Sequence, residues 1–210
     1  MKIIKVKNGE ISGKEMKEVI EVLKKDQVIV VPTDTIYGFS CAANSKKAVS
    51  KIHKIKGSKP DKPLIVLVSG IEMLSQYAVI NENQKIFLKK FWPNPKTIRG
   101  RIKNFRKKPL TVILEKKPRV LKAACANQNT IAVRLPNNEL NYTIIRELGE
   151  PLVSTSLNIS GKEPIDSPAQ IEENFSHLPD LIIDSGISRK KQASKLIDIR
   201  DIDNIKILRN

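Results

Sequence analysis

Val30-Val31-Pro32-Thr33-Asp34-Thr35-Ile36-Tyr37-Gly38 is an apolar run that breaks abruptly into hydroxyls grouped around one carboxylate. Val28 to Val31 read as a buried strand, because β-branched side chains fill a pleated surface well, and Pro32 removes a backbone donor and ends the ladder. The polar cluster therefore falls at the carboxyl end of a strand, where open α/β sheets form their ligand crevices. A plain turn capped by Thr33 or Asp34 is the alternative reading of the same residues.

Working outward, helical and strand-like patterns alternate. Ser12 followed by Glu15 is a capping-box signature, and Met16, Val19, Ile20 and Leu23 recur at helical spacing, which predicts a helix over about 13–25. Ser45 opens a second helix with Ala48, Val49, Ile52 and Ile55 on one face, stopped near Gly57. Further helical patterns lie around 83–91, 138–148 and 168–175. Strand candidates are 1–6, Leu64 to Val68, Leu110 to Leu114, Thr130 to Arg134, Pro151 to Ser154, Leu181 to Ile183 and Leu196 to Ile199. Strands interleaved with helices imply an α/β domain with a twisted sheet and flanking helices. At 210 residues the expectation is a single domain spanning 1–210.

Lys and Arg outnumber Asp and Glu by 38 to 22, a formal net charge of +16, so the surface potential favours anionic partners such as nucleotides or RNA. Most individual lysines are explained by a solvated exterior. Cys41 and Cys125 are far apart and form no Cys-x-x-Cys pair, and His53 and His177 add no ligand-like spacing, so no protein metal site is expected. With no export signal and no apolar run approaching membrane-spanning length, the chain is expected in the cytoplasm with both thiols free.

Two later segments pair an apolar run with a polar or basic loop: Ile55-Lys56-Gly57-Ser58-Lys59-Pro60-Asp61-Lys62-Pro63-Leu64-Ile65-Val66-Leu67-Val68 and Leu152-Val153-Ser154-Thr155-Ser156-Leu157-Asn158-Ile159-Ser160-Gly161. The chain has neither a Gly-x-x-x-x-Gly-Lys-Ser/Thr loop nor a Gly-x-Gly-x-x-Gly element, so a nucleotide has to be held by converging side-chain cations. Lys56, Lys59, Lys62 and Arg134 are the candidates.

These motifs, with Phe91-Trp92-Pro93, Val133-Arg134-Leu135-Pro136 and Ile207-Leu208-Arg209, resemble in order and spacing the YrdC-type threonylcarbamoyl-AMP synthase family from about residue 12 to 209. The resemblance implies a mixed sheet enclosing a basic cavity, and an enzyme that joins L-threonine, bicarbonate or CO2, and ATP into threonylcarbamoyl-AMP with release of pyrophosphate. It implies magnesium accompanying ATP, and a downstream transferase that carries the group to tRNA as N6-threonylcarbamoyladenosine. Lys56 and Ser156 would serve the chemistry. Thr33, Thr35, Tyr37, Ser156 and Arg134 would bind threonine or its carbamate, and Lys56, Lys59, Lys62, Ser154, Asn158 and Ser194 would bind ATP. The threonine-rich strand exit and the Ser156 to Asn158 turn are expected to face each other across one cationic chamber. Asp34 either orients its loop or helps to hold a cation.

Departures from the family pattern stand out. Ser58 occupies the place of an arginine, with Lys59 next to it, and Lys195 and Asn210 replace usual residues near the end. Residues 95–108 look inserted, and Lys96, Arg99, Arg101, Lys103, Arg106, Lys107 and Lys108 occur there without an acid. That insertion reads as a solvated loop, a lid over ATP or a tRNA contact. A noncatalytic RNA-binding protein of the same fold is the competing reading of the whole chain.

Overall fold

The computed structural model describes residues 1–6, 10–93, 109–188 and 192–210, so the basic insertion at 95–108 lies outside the described residues. The strands join one mixed sheet. In chain order they are β1 (Lys2–Lys5), β2 (Ile29–Val31), β3 (Gly38–Ala42), β4 (Ile65–Leu67), β5 (Ala78–Val79), β6 (Leu110–Lys116), β7 (Thr130–Arg134), β8 (Leu152–Ser156), β9 (Leu181–Asp184), β10 (Lys195–Asp198) and β11 (Lys206–Arg209). Across the sheet they run β1-β9-β2-β3-β8-β4-β7-β6-β10-β11, with β5 beside β6. Parallel pairs such as β2 with β9 and β4 with β7 are mixed with antiparallel ones such as β3 with β8.

Helices cover both faces. On one, α2 (Lys46–Lys56) sends Ala48, Val49, Ile52 and Ile55 into a core with Val30, Phe39, Cys41, Val66, Val133 and Val153. On the other, α1 (Gly13–Lys24) and α5 (Glu139–Leu148) bury Val19, Ile20, Leu23, Ile144, Ile145 and Leu148 against Ile29, Val31, Leu67, Leu152, Leu181 and Ile183. Because side chains alternate along a strand, Leu152 points to the α1/α5 face and so do Ser154 and Ser156 further along β8. The site is the part of that face which α1 and α5 leave uncovered.

The helix starts form as their caps require. The Ser12 hydroxyl accepts from the Glu15 amide while the Glu15 carboxylate accepts from the Ser12 amide, and the Ser45 hydroxyl accepts from the Ala48 amide. The expected helix at 83–91 is α4 (Glu82–Phe91), and that at 168–175 is a 3-10 turn, Pro168–Gln170, running into α6 (Ile171–Asn174). Both cysteines are free and buried, and burial pushes the Cys41 thiol far above its usual range. Among the described residues no helix is long and apolar enough to cross a membrane.

Among the described residues, Gly38 is the one glycine whose missing side chain the sheet depends on. A Cβ there would meet the Thr155 carbonyl oxygen at 2.8 Å, on the strand directly paired with it. Gly38→Ala is therefore expected to prise β3 from β8 and to cost about 1–3 kcal/mol, read as a lower denaturant midpoint. A midpoint equal to the parent's would remove close strand approach as the reason for glycine here.

Candidate functional site

The loop after β2 is braced by its own hydroxyls. Thr33 Oγ1 donates to the Ile36 carbonyl at 2.7 Å and accepts from the Thr35 amide at 3.0 Å, and it lies 2.8 Å from Thr35 Oγ1. Asp34 Oδ2 accepts from the Asn137 amide at 3.1 Å, and its Oδ1 lies 3.3 Å from Arg134 Nη1. That contact is an ion pair outside hydrogen-bond geometry. Asp34 Oδ1 and Arg134 Nε have no hydrogen-bond partner among the described residues. Arg134 Nη1 also donates to Thr35 Oγ1 at 3.3 Å, so Asp34 and Thr35 together hold the guanidinium. Tyr37 is committed elsewhere: its hydroxyl donates to the Gly186 carbonyl, accepts from the Ser185 amide and pairs with Ser185 Oγ, all within 2.9 Å. Burial raises its pKa, and its ring serves as wall.

Lys56 is the centre of the second element. It is the last residue of α2, 5% exposed, and its ammonium donates to the Ser156 carbonyl at 2.5 Å and to both the carbonyl and Oδ1 of Asn158 at 2.8 Å. Ser156 Oγ donates to Asn158 Oδ1, and Asn158 Nδ2 donates to the Lys162 carbonyl. Burial, then the neighbouring charge of Lys62, pushes Lys56 from its ordinary 10.5 down to about 7. An ammonium in that state is primed for an anion, because arriving negative charge restores the solvation that burial removed.

These elements converge on a cavity of about 490 Å³, within the usual ~300–1,000 Å³ of small-molecule sites. Of the residues expected from the sequence, it brings together Thr35, Tyr37, Lys56, Lys62, Arg134, Ser154, Ser156, Asn158 and Ser194. Thr33 faces a neighbouring cleft instead, its hydroxyl already used inside the loop. Lys59 is exposed and outside the lining, because the turn after Gly57 directs it to solvent. The threonine-rich loop and the Ser156 to Asn158 turn both line the chamber. Gly38, where the loop enters β3, pairs directly with Ser156, while Thr35 reaches across to Arg134 on β7.

Arg209 is the cavity cation that the sequence reading did not single out as a site residue. Its guanidinium donates to the Ser194 carbonyl at 2.9 Å and to Ser194 Oγ at 3.3 Å, while Ser194 Oγ pairs with Thr111 Oγ1 at 2.6 Å. The available signal was an arginine at the end of the last apolar run. Lys56, Lys62, Arg134 and Arg209 meet here, and the described lining holds no carboxylate. The neighbouring cleft, about 960 Å³, has the opposite character, with Glu10 and Glu139 in its wall and, among the described residues, no lysine or arginine. Anion chemistry therefore belongs in the smaller cavity.

A family model for Sua5, YciO and YrdC, described as telomere recombination, matches residues 21–210. The chain belongs to this family. A Methanocaldococcus jannaschii protein, provisionally named a threonylcarbamoyl-AMP synthase, is 35% identical over 95% of this chain and 88% of its own length. The threonylcarbamoyl-AMP synthase of Pyrococcus abyssi is 31% identical over 85% of this chain, which spans only 49% of that longer relative. Among solved structures, P. abyssi Sua5 complexed with L-threonine superposes with a TM-score of 0.84 at 29% identity, covering all of this chain and 57% of that one. Escherichia coli YciO, at 24% identity and a TM-score of 0.82 over 100% and 96% of the two chains, shares the fold. The twisted mixed sheet expected from the sequence is thus the fold of the family.

Proposed function

We propose that this chain makes threonylcarbamoyl-AMP from L-threonine, bicarbonate or CO2, and ATP, releasing pyrophosphate. The observation that carries the reading is the set of four cations without a carboxylate in the described lining, built around the Lys56 to Asn158 contact, in a member of a family whose named relatives are threonylcarbamoyl-AMP synthases.

The threonine amine, once deprotonated, takes up CO2 to give a carbamate. A carbamate oxygen then bonds to the α-phosphorus of ATP as the bond to the bridging oxygen of pyrophosphate breaks. Both partners are anionic, so the protein's task is to hold them in line and to neutralise charge that moves onto the leaving group. Arg134, steadied by Asp34 and Thr35, takes the amino-acid carboxylate. Lys56, Lys62 and Arg209 attend the phosphates, while Ser154, Ser156, Asn158 and Ser194 supply neutral donors. Magnesium fits as a companion of the triphosphate, since the described lining offers hydroxyl and amide oxygens but no carboxylate to fix a resident ion. When bound, it neutralises phosphate charge. A cavity of this size also shields the carbamate from water.

The product would pass, in the cytoplasm, to a separate transferase acting on tRNA. A noncatalytic RNA-binding role fits less well, because Lys56 and Arg134 are 5% and 4% exposed, beyond the reach of a nucleic-acid backbone. Purified protein incubated with ATP, magnesium, bicarbonate and each amino acid in turn is expected to release pyrophosphate with threonine. No release with any amino acid, together with tight RNA binding, would overturn the proposal.

A further inference from the structure

His53 and Ser58 form a pair at the cavity to which the proposed reaction assigns no task. Gly57 adopts a left-handed conformation (φ 58°), which lets the Ser58 amide donate back to the His53 carbonyl at 3.0 Å and the Gly57 amide to the Lys54 carbonyl. This closure of α2 folds Ser58 under its own helix, so that its Oγ lies 2.8 Å from His53 Nδ1 while the residue lines the cavity beside Lys56 and Lys62. The imidazole is 4% exposed, and its Nε2 has no hydrogen-bond partner among the described residues.

The orphaned Nε2 decides the direction of the hydrogen bond. A buried N–H without an acceptor is rarer and costlier than a buried lone pair without a donor. The proton therefore sits on Nδ1 and is donated to Ser58 Oγ. The ring stays neutral: burial disfavours its charged form most, Lys56 and Lys62 add to that, and Asp61 alone opposes it. With its oxygen engaged by Nδ1–H, Ser58 has its own hydrogen free for the cavity.

We propose that His53 is a positioning residue that fixes the Ser58 hydroxyl as a hydrogen-bond donor to a phosphate oxygen of the nucleotide. The inference rests on the proposed reaction for its ligand. It gives the chain an oriented neutral donor where the family resemblance expects an arginine, trading charge for direction.

Nitrogen NMR of the ligand-free protein is expected to show His53 protonated at Nδ1 and bare at Nε2; the opposite tautomer overturns the proposal. Ser58→Ala is expected to raise both the KM for ATP and the Kd for inorganic pyrophosphate about tenfold, with the KM for threonine unchanged. His53→Leu should match it, and His53→Asn, which keeps an N–H near the place of Nδ1, should restore most of the affinity. Unchanged pyrophosphate binding in Ser58→Ala, or a shift confined to threonine, overturns the assignment. Ser58 is only partly buried, so that variant carries the test if a His53 variant fails to fold. Wild-type protein that releases no pyrophosphate with threonine would defeat the reaction, while the tautomer and the pyrophosphate affinity would still decide the role of this pair.

Discussion

Lys56→Ala is expected to lower threonine-dependent pyrophosphate release by about 10²–10³-fold, the loss typical of one preorganised donor at developing charge. Its ammonium joins the end of α2 to the Ser156 and Asn158 carbonyls and to Asn158 Oδ1, so the substitution removes a cation and frees three acceptors together. Lys56→Arg is not expected to rescue, because a planar fork cannot aim at three converging oxygens as a compact ammonium does. The pH dependence separates activity from stability. Folding lowers this group from 10.5 to about 7, so between those values the folded chain binds fewer protons than the unfolded one. Stability contributed by this site therefore rises with pH across that window, and the full cost of burying the charge stands below about 7. In the proposed reaction Lys56 acts as a cation, so kcat/KM for ATP should fall as pH climbs through that same value. Lys56→Met should abolish both slopes. Activity of Lys56→Ala equal to the parent's, or a wild-type profile flat from pH 6 to 9, would dismiss Lys56 as the phosphate cation.

Much of this arrangement was legible because local chemistry and global fold agree. Pro32 ends β2 where the sequence places the end, and Ser12, Ser45 and Gly57 bound their helices as their side chains or lack of one dictate. The segments that escaped lack such signals. β3 reads Gly-Phe-Ser-Cys-Ala and is buried along its whole length, so it shows neither alternation nor β-branched enrichment. β11 is exposed throughout, and the seven-residue α3 (Ile71–Tyr77) starts at Gly70 with no side-chain cap. The site divides in the same way. Lys56, Ser156 and Asn158 were found because their spacing carries the family resemblance. The separation of Thr33 and Lys59 from the cavity depends on where a hydroxyl is spent and which way a turn points, and neither is written in residue type. Arg209 reaches the site only because β11 pairs with β10 at Ser194's end of the sheet, a long-range fact that local pattern does not encode.

Arg134→Met should destabilise the chain by about 3–5 kcal/mol, because it strands a carboxylate in the interior. The Asp34 and Arg134 side chains are each 4% exposed, and among the described residues Asp34 Oδ1 has only the guanidinium 3.3 Å away to balance it. For a chain of this size the cost amounts to a fall in Tm of roughly 6–20 °C. Asp34→Asn removes the carboxylate charge but leaves Arg134 its bond to Thr35, so it should be milder. The double variant should regain part of the stability lost by Arg134→Met, a coupling that marks the pair as electrostatic and not merely well packed. Binding should not follow stability. Arg134 reaches the cavity with Nε unused by the described residues, so the double variant should fold and still bind threonine at least tenfold more weakly, the loss of a charge-assisted contact to its carboxylate. Asp34→Asn alone, with the guanidinium present but less firmly held, should fall between. If calorimetry finds threonine affinity intact in the double variant, the amino acid is anchored elsewhere and the Asp34–Arg134 pair serves the fold alone.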